Sequence, residues 1–187
     1  MDRRILETFE DCPVIAAIKD EEGLRKCVES DIPIVFVLYG DICNIHDIVG
    51  RLKQAGKIVI IHLDLVTGLS SKEIAVTYLH AVTHGDGIIS TKPGIIRKAK
   101  EEGMLAIMRF FVIDSIAFES IQKQVENVHP DMIEILPGLM PKVIKKICGK
   151  SHIPVIAGGL ITDKEDIMAA LGAGAISIST TNQKVWF

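Results

Sequence analysis

Eight short runs rich in Val and Ile recur along the chain, at 13–19, 32–39, 58–66, 86–91, 104–112, 132–136, 154–158 and 175–179. They are apolar on both faces rather than alternating, the pattern of parallel strands covered on both sides. Helix-like segments separate them. Eight β/α repeats predict a (β/α)8 TIM barrel. At 187 residues the chain is short for that fold, for which about 250 is typical. Only 182–187 follow the last run, so the eighth helix is expected to be truncated. An open doubly wound sheet is the alternative and needs fewer strands; the strand count favours the barrel. Residues 1–187 read as a single domain.

The helix signals agree with this layout. Ser70-Ser71-Lys72-Glu73 and Thr162-Asp163-Lys164-Glu165 read as capping boxes. Pro93 and Pro141 suit first helical positions, and Gly103 and Gly149 suit positions just past helix ends. Ser115 is placed to cap the helix that carries Phe118, Ile121, Val125 and Val128.

Bulk properties exclude several classes. No apolar run approaches the roughly eighteen residues that span a membrane, and the N-terminal stretch mixes acids with bases, unlike a signal or transit peptide. A cytoplasmic protein with no membrane partner is expected. The cysteines Cys12, Cys27, Cys43 and Cys148 are scattered without a C-x-x-C, so reduced thiols are expected rather than a zinc ribbon. The net charge is −3 and no long basic run stands out.

Ligands of such barrels bind at the C-terminal ends of the strands. Charged side chains inside or at the ends of apolar strands are costly to bury unless paired. Lys19, Asp64, Lys92, Arg109 and Glu134 are such residues and are expected to converge in the upper barrel as a ligand-binding set. Alternation places His62 with Asp64 on one face of the third strand. Arg109 and Glu134 lie on adjacent strands, where they either neutralise each other in the core or face a ligand. His62 has no second histidine at metal-ligand spacing, so no metal is expected. No dinucleotide fingerprint is present, and no cofactor is expected. Lys92 with nearby carboxylates leaves Schiff-base chemistry open.

Gly158-Gly159 follows the seventh strand, and Ser179-Thr180-Thr181 ends the eighth. These two loops often form the phosphate site of such barrels, through backbone N–H groups and hydroxyls. Gly158, Gly159, Ser179 and Thr180 are therefore the expected phosphate contacts.

Several blocks carry a specific resemblance: HLDLVTGLSSKE at 62–73, GDGIISTKPGIIRKAKEEG at 85–103, MRFFVIDSIAFE at 108–119, PDMIEILPGLMPKVIKKI at 130–147, PVIAGGLI at 154–161 and GAGAISISTTNQKVW at 172–186. In this order the chain resembles the glycerol uptake operon antiterminator family over nearly its whole length. The resemblance implies a barrel that binds glycerol 3-phosphate and acts on a leader mRNA to let transcription pass a terminator, as a regulator and not an enzyme. It implies phosphate at Gly138, Gly158-Gly159 and Ser179-Thr180, and Asp64, Lys92 and Glu134 at the glycerol end. A phosphate-substrate aldolase, isomerase or synthase on the same barrel is the competing function. Two lysine-rich groups bear on RNA: Lys142, Lys145, Lys146 and Lys150, and Arg97, Lys98 and Lys100. Each reads as a solvated helix face or as an RNA contact. The truncated end is expected to leave Trp186 and Phe187 free to pack on a second copy in a homo-oligomer.

Overall fold

Each apolar run forms a strand: β1 (Val14–Ile18), β2 (Ile34–Val37), β3 (Ile58–His62), β4 (Gly87–Ser90), β5 (Leu105–Phe111), β6 (Met132–Leu136), β7 (Val155–Gly158) and β8 (Ser177–Thr180). In this computed structural model, which describes residues 3–186, the strands pair in parallel and in sequence order. β8 closes on β1 to complete the barrel. Helices α1 (Arg3–Asp11), α2 (Glu21–Glu29), α3 (Ile45–Gln54), α4 (Ile74–Thr83), α5 (Pro93–Glu101), α6 (Ser115–Val128), α7 (Pro141–Cys148) and α8 (Lys164–Gly172) complete the fold. Among the described residues, β8 is followed by a 3-10 turn, Gln183–Val185.

Period-two alternation sorts the strand residues. Ile15, Ala17, Phe36, Ile60, Ile107 and Ile156 fill the barrel interior. Ala16, Ile18, Val35, Val37, Ile61 and Ile133 pack outward with the helix-facing core. Both faces are therefore dry, which is why the runs are continuously apolar. Helix α1 has no counterpart in the sequence reading. It contributes Phe9 to the interior cluster, and Ser177 Oγ donates to the Phe9 carbonyl at 2.8 Å.

Several boundaries differ from expectation. The third strand ends at His62, and Leu63–Leu65 is a 3-10 turn, so Asp64 does not share a strand face with His62. Helix α4 starts at Ile74 without a side-chain cap, so the Ser70 capping box does not form. The second box forms one residue later than read: Asp163 accepts from Asp166 N at 3.0 Å, while the Asp166 carboxylate accepts from Thr162 N at 2.8 Å. Asp114, not Ser115, caps α6, accepting from Ala117 N. Pro93 and Pro141 open α5 and α7. Gly103 is left-handed past α5 at φ +75°, whereas Gly149 stays right-handed. Trp186 is buried, not exposed: its indole N–H donates to the Thr180 carbonyl at 3.0 Å. Phe187 lies outside the described residues.

Candidate functional site

The upper layer of the barrel interior is polar. Arg109 continues the inward series Leu105, Ile107 on β5, and Glu134 follows Met132 on β6. The strand register sets them directly opposite each other. Arg109 Nε donates to Glu134 Oε2 at 2.5 Å, and Ser179 Oγ of β8 donates to Oε1 at 2.5 Å. Glu134 is fully buried and Arg109 nearly so. A carboxylate in that position costs several kcal/mol unless its oxygens are taken up; here both are. Among the described residues, the two terminal Nη groups of Arg109 have no acceptor. The fork thus keeps its terminal donors free.

Gly158 makes this cluster possible. A Cβ there would lie 2.5 Å from Ser179 Oγ and 2.6 Å from Glu134 Oε1, closer than real atoms approach. Gly159 and Leu160 follow with φ of +77° and +63°, a sharp left-handed turn that a glycine takes freely and a leucine does not. Among the described residues, the N–H groups of Gly159, Leu160 and Thr181 meet no acceptor. Turns of this kind present N–H groups to anions.

Together these elements enclose a cavity of about 300 Å³, lined by Arg109, Glu134, Leu136, 159–162 and 179–182, with Ala17 and Leu38 on the opposite side. Its two loops are tied together: Thr180 Oγ1 donates to the Ile161 carbonyl at 2.9 Å, and Asn182 Nδ2 to the Thr162 carbonyl at 2.6 Å. The hydroxyl protons of Ser179 and Thr180 are therefore already engaged, and among the described residues the open donors on the lining are the Arg109 Nη groups, backbone N–H groups and the Thr181 hydroxyl. Gly138 does not line the cavity. Its N–H donates to the Gly159 carbonyl at 3.1 Å, so it buttresses the turn.

Asp64 and Lys92 form a second centre. Asp64 Oδ2 accepts from Ser90 Oγ at 2.9 Å and from Thr91 N at 3.0 Å. Lys92 Nζ lies 3.0 Å from Asp64 Oδ1 and donates to Ser71 Oγ at 2.6 Å. Burial works against the Asp64 charge, but the Thr91 N–H, Lys92 and Ser90 outweigh it and hold the carboxyl below its usual value. Lys92 is half-exposed and lines a separate recess with Ser71, Glu73 and Gly94. His62 points inward from β3 with its Nδ1 unpartnered. Burial, and then the charge of Arg109, push it down to about 4, so the imidazole is neutral. Lys19 is exposed one residue beyond β1, with no hydrogen bond or ion pair among the described residues.

The five charged residues expected to converge thus divide: Arg109 with Glu134 in the cavity, Asp64 with Lys92 beside it, and Lys19 apart. Among the described residues no group of three or more His, Cys, Asp or Glu side chains could hold a metal. Leu38, Leu160 and Asn182 line the cavity without having been singled out from sequence, and so does Thr181, named there as the end of the hydroxyl run but not among the expected contacts. The run of polar residues through Asn182 was the available signal for the last two.

Residues 14–186 match the family described as glycerol-3-phosphate responsive antiterminator. The uncharacterized protein YgcP of Escherichia coli K12 is 47 % identical over 182 residues, covering 97 % of this chain and 95 % of that protein. A glycerol uptake operon antiterminator regulatory protein from Listeria monocytogenes superposes with a TM-score of 0.90 at 38 % identity, over 92 % of this chain and 94 % of that one. A glycerol uptake operon antiterminator-related protein from Thermotoga maritima gives 0.83 at 35 % identity, over 92 % and 96 %. The deoxyribose phosphate aldolase of Aeropyrum pernix, at 0.70 and 16 % identity over 100 % and 97 %, shares the barrel and speaks to fold alone. Sequence match and superposition agree along nearly the whole chain, and this chain belongs to the glycerol-3-phosphate responsive antiterminator family.

Proposed function

We propose that the chain binds glycerol 3-phosphate in the cavity between β5–β8 and, so loaded, acts in the cytoplasm on a leader mRNA as a transcription antiterminator. The observation that carries the ligand half is the Arg109 guanidinium, held at Nε by buried Glu134 and left with both Nη groups free at a cavity wall. Charge-assisted, bidentate donors of this kind suit a phosphate. The unpaired N–H groups at Gly159, Leu160 and Thr181 supply the remaining donors, and Gly158, Ser179 and Thr180 hold their shape. A cavity of about 300 Å³ lies at the small end of ligand sites, the scale of a three-carbon phosphate. Asp64 and Lys92 stand beside it as an ion pair. That arrangement speaks for regulation over Schiff-base chemistry, because Lys92 is half-exposed, held by Asp64 and Ser71 and outside the cavity, whereas an amine nucleophile is activated by desolvation.

Isothermal titration with glycerol 3-phosphate, glycerol and inorganic phosphate tests the ligand half. Glycerol 3-phosphate should bind best, and Arg109→Gln should abolish its binding heat. Transcription in vitro across a glycerol-operon leader tests the other half: read-through should rise only when protein and glycerol 3-phosphate are both present. Absence of binding heat in the parent protein would overturn the whole reading.

A further inference from the structure

The ring of helices parts between α6 and α7, leaving a groove of about 520 Å³ that shares no lining residue with the ligand cavity. Phe118, Ile121 and Val125 of α6 and Ile147 of α7 form its apolar bed, and Lys150 and His152 close one side. Alongside, α7 turns Lys142, Lys145 and Lys146 to solvent while burying Ile144 and Ile147. Among the described residues none of these three lysines has an acidic partner, nor does Lys150, whose ammonium sits 5.8 Å from the centre of the Phe118 ring. The other basic helix differs. On α5, Lys98 pairs with Glu102 at 2.9 Å and Lys100 with Asp131 at 3.3 Å. On a chain of net charge −3, α7 therefore carries the concentrated unneutralised positive face.

We infer that this face is where the chain holds single-stranded RNA, with the phosphate backbone along the α7 lysines and a base in the groove against Phe118. The inference rests on the RNA half of the function proposed above. Three features select this occupant. Unpaired lysines in a row match a polyanion. An apolar groove containing an aromatic ring and a cation over it is the combination on which unstacked bases settle. The α6 wall carries Glu119 and Glu126, so an anionic backbone is turned away from that wall and towards α7. The surface is also tied to the ligand site: α7 begins shortly after Gly138, whose N–H is held by the Gly159 carbonyl at the cavity turn.

The test starts from a random-sequence RNA pool, from which the parent protein selects binders at saturating glycerol 3-phosphate; anisotropy is then read with the selected RNA across salt concentrations. Single-stranded contacts contribute a slope of about −0.7 per phosphate in log K against log salt. With four lysines engaged, affinity falls roughly 50-fold between about 50 and about 200 mM salt, and with Lys145→Ala/Lys146→Ala only about 7-fold. Phe118→Leu, which keeps the groove apolar, should weaken binding without changing the slope. Arg97→Ala on α5 should leave both unchanged, and all variants should keep the parental heat of glycerol 3-phosphate binding. A selected RNA whose affinity and salt slope ignore the α7 substitutions overturns this surface while leaving the antitermination reading intact. Failure of the pool to yield any binder overturns both. Self-association in the ultracentrifuge that Lys145→Ala/Lys146→Ala abolishes, with RNA binding untouched, assigns the face to a second copy and overturns the proposal.

Discussion

Glu134 and Arg109 offer a perturbation that separates a structural ion pair from a ligand receptor. Glu134 is fully buried, and its two oxygens are held by Arg109 Nε and Ser179 Oγ. Removing one partner of such a pair strands the other and costs about 3–5 kcal/mol. In a domain of this size each kcal/mol moves Tm by about 2–4 °C, so Glu134→Met and Arg109→Met should each melt roughly 6–20 °C below the parent. Replacing both by methionine removes both charges together, and such replacements are neutral or stabilising by about 1–4 kcal/mol. The double variant should therefore recover the parental Tm. Its ligand binding should not recover. Each charge-assisted hydrogen bond is worth about 1.5–3 kcal/mol, so losing two Nη contacts should weaken glycerol 3-phosphate by about a hundredfold or more. Circular dichroism melts and titration calorimetry on the four proteins complete the cycle. A double variant that is stable and binds glycerol 3-phosphate as tightly as the parent refutes the receptor role and leaves the pair as core neutralisation.

Two further outcomes follow from the same layer. Gly158→Ala places a Cβ against Ser179 Oγ and Glu134 Oε1 and should break their bond, lowering stability by about 1–3 kcal/mol and weakening the ligand; an unchanged melt and affinity would show that the cluster shifts without consequence. His62 sits near pKa 4 when folded against 6.5 for the free side chain. The folded state thus disfavours its protonation, so this contribution is complete above pH 6.5 and lost as pH falls from 6.5 towards 4, on the order of 3 kcal/mol. Urea unfolding at neutral and acid pH should show a loss that His62→Gln reduces; identical losses in both proteins would place the acid sensitivity elsewhere.

What could be read from sequence divides by the range of the interactions involved. The strands were legible because Val14–Ile18 and its counterparts are covered on both faces, which leaves an unbroken apolar run. Arg109 and Glu134 stood out for the converse reason, as charges inside such runs. Helix α1 was missed because its segment is dominated by charges, and Phe9 finds its place only when a barrel floor exists to receive it. Asp64 was carried along the strand by alternation. Its hydrogen bonds to Ser90 and Thr91 come from another repeat and are met from a 3-10 turn. The division of Lys19, Asp64 and Lys92 from the cavity depends on loop paths that local pattern does not contain. The same is true of Trp186, which is buried with its indole N–H on the Thr180 carbonyl, where a truncated helix suggested bare apolar surface.

The closing seam between β8 and β1, with the Ser177 hydroxyl on the Phe9 carbonyl across 168 positions of sequence, has a kinetic meaning. Every other neighbouring strand pair is built from adjacent repeats and forms over modest loops, but this one gains nothing until the last strand has been synthesised and returned to the first. Contacts of such separation are slow to make. Until they form, the nascent chain is an open parallel sheet with two unpaired edges and an unplugged apolar floor, the kind of surface that recruits other chains. The vulnerable moment in the life of this protein is therefore the interval before ring closure, and refolding yield should be limited by protein concentration during that interval rather than by the stability of the finished barrel.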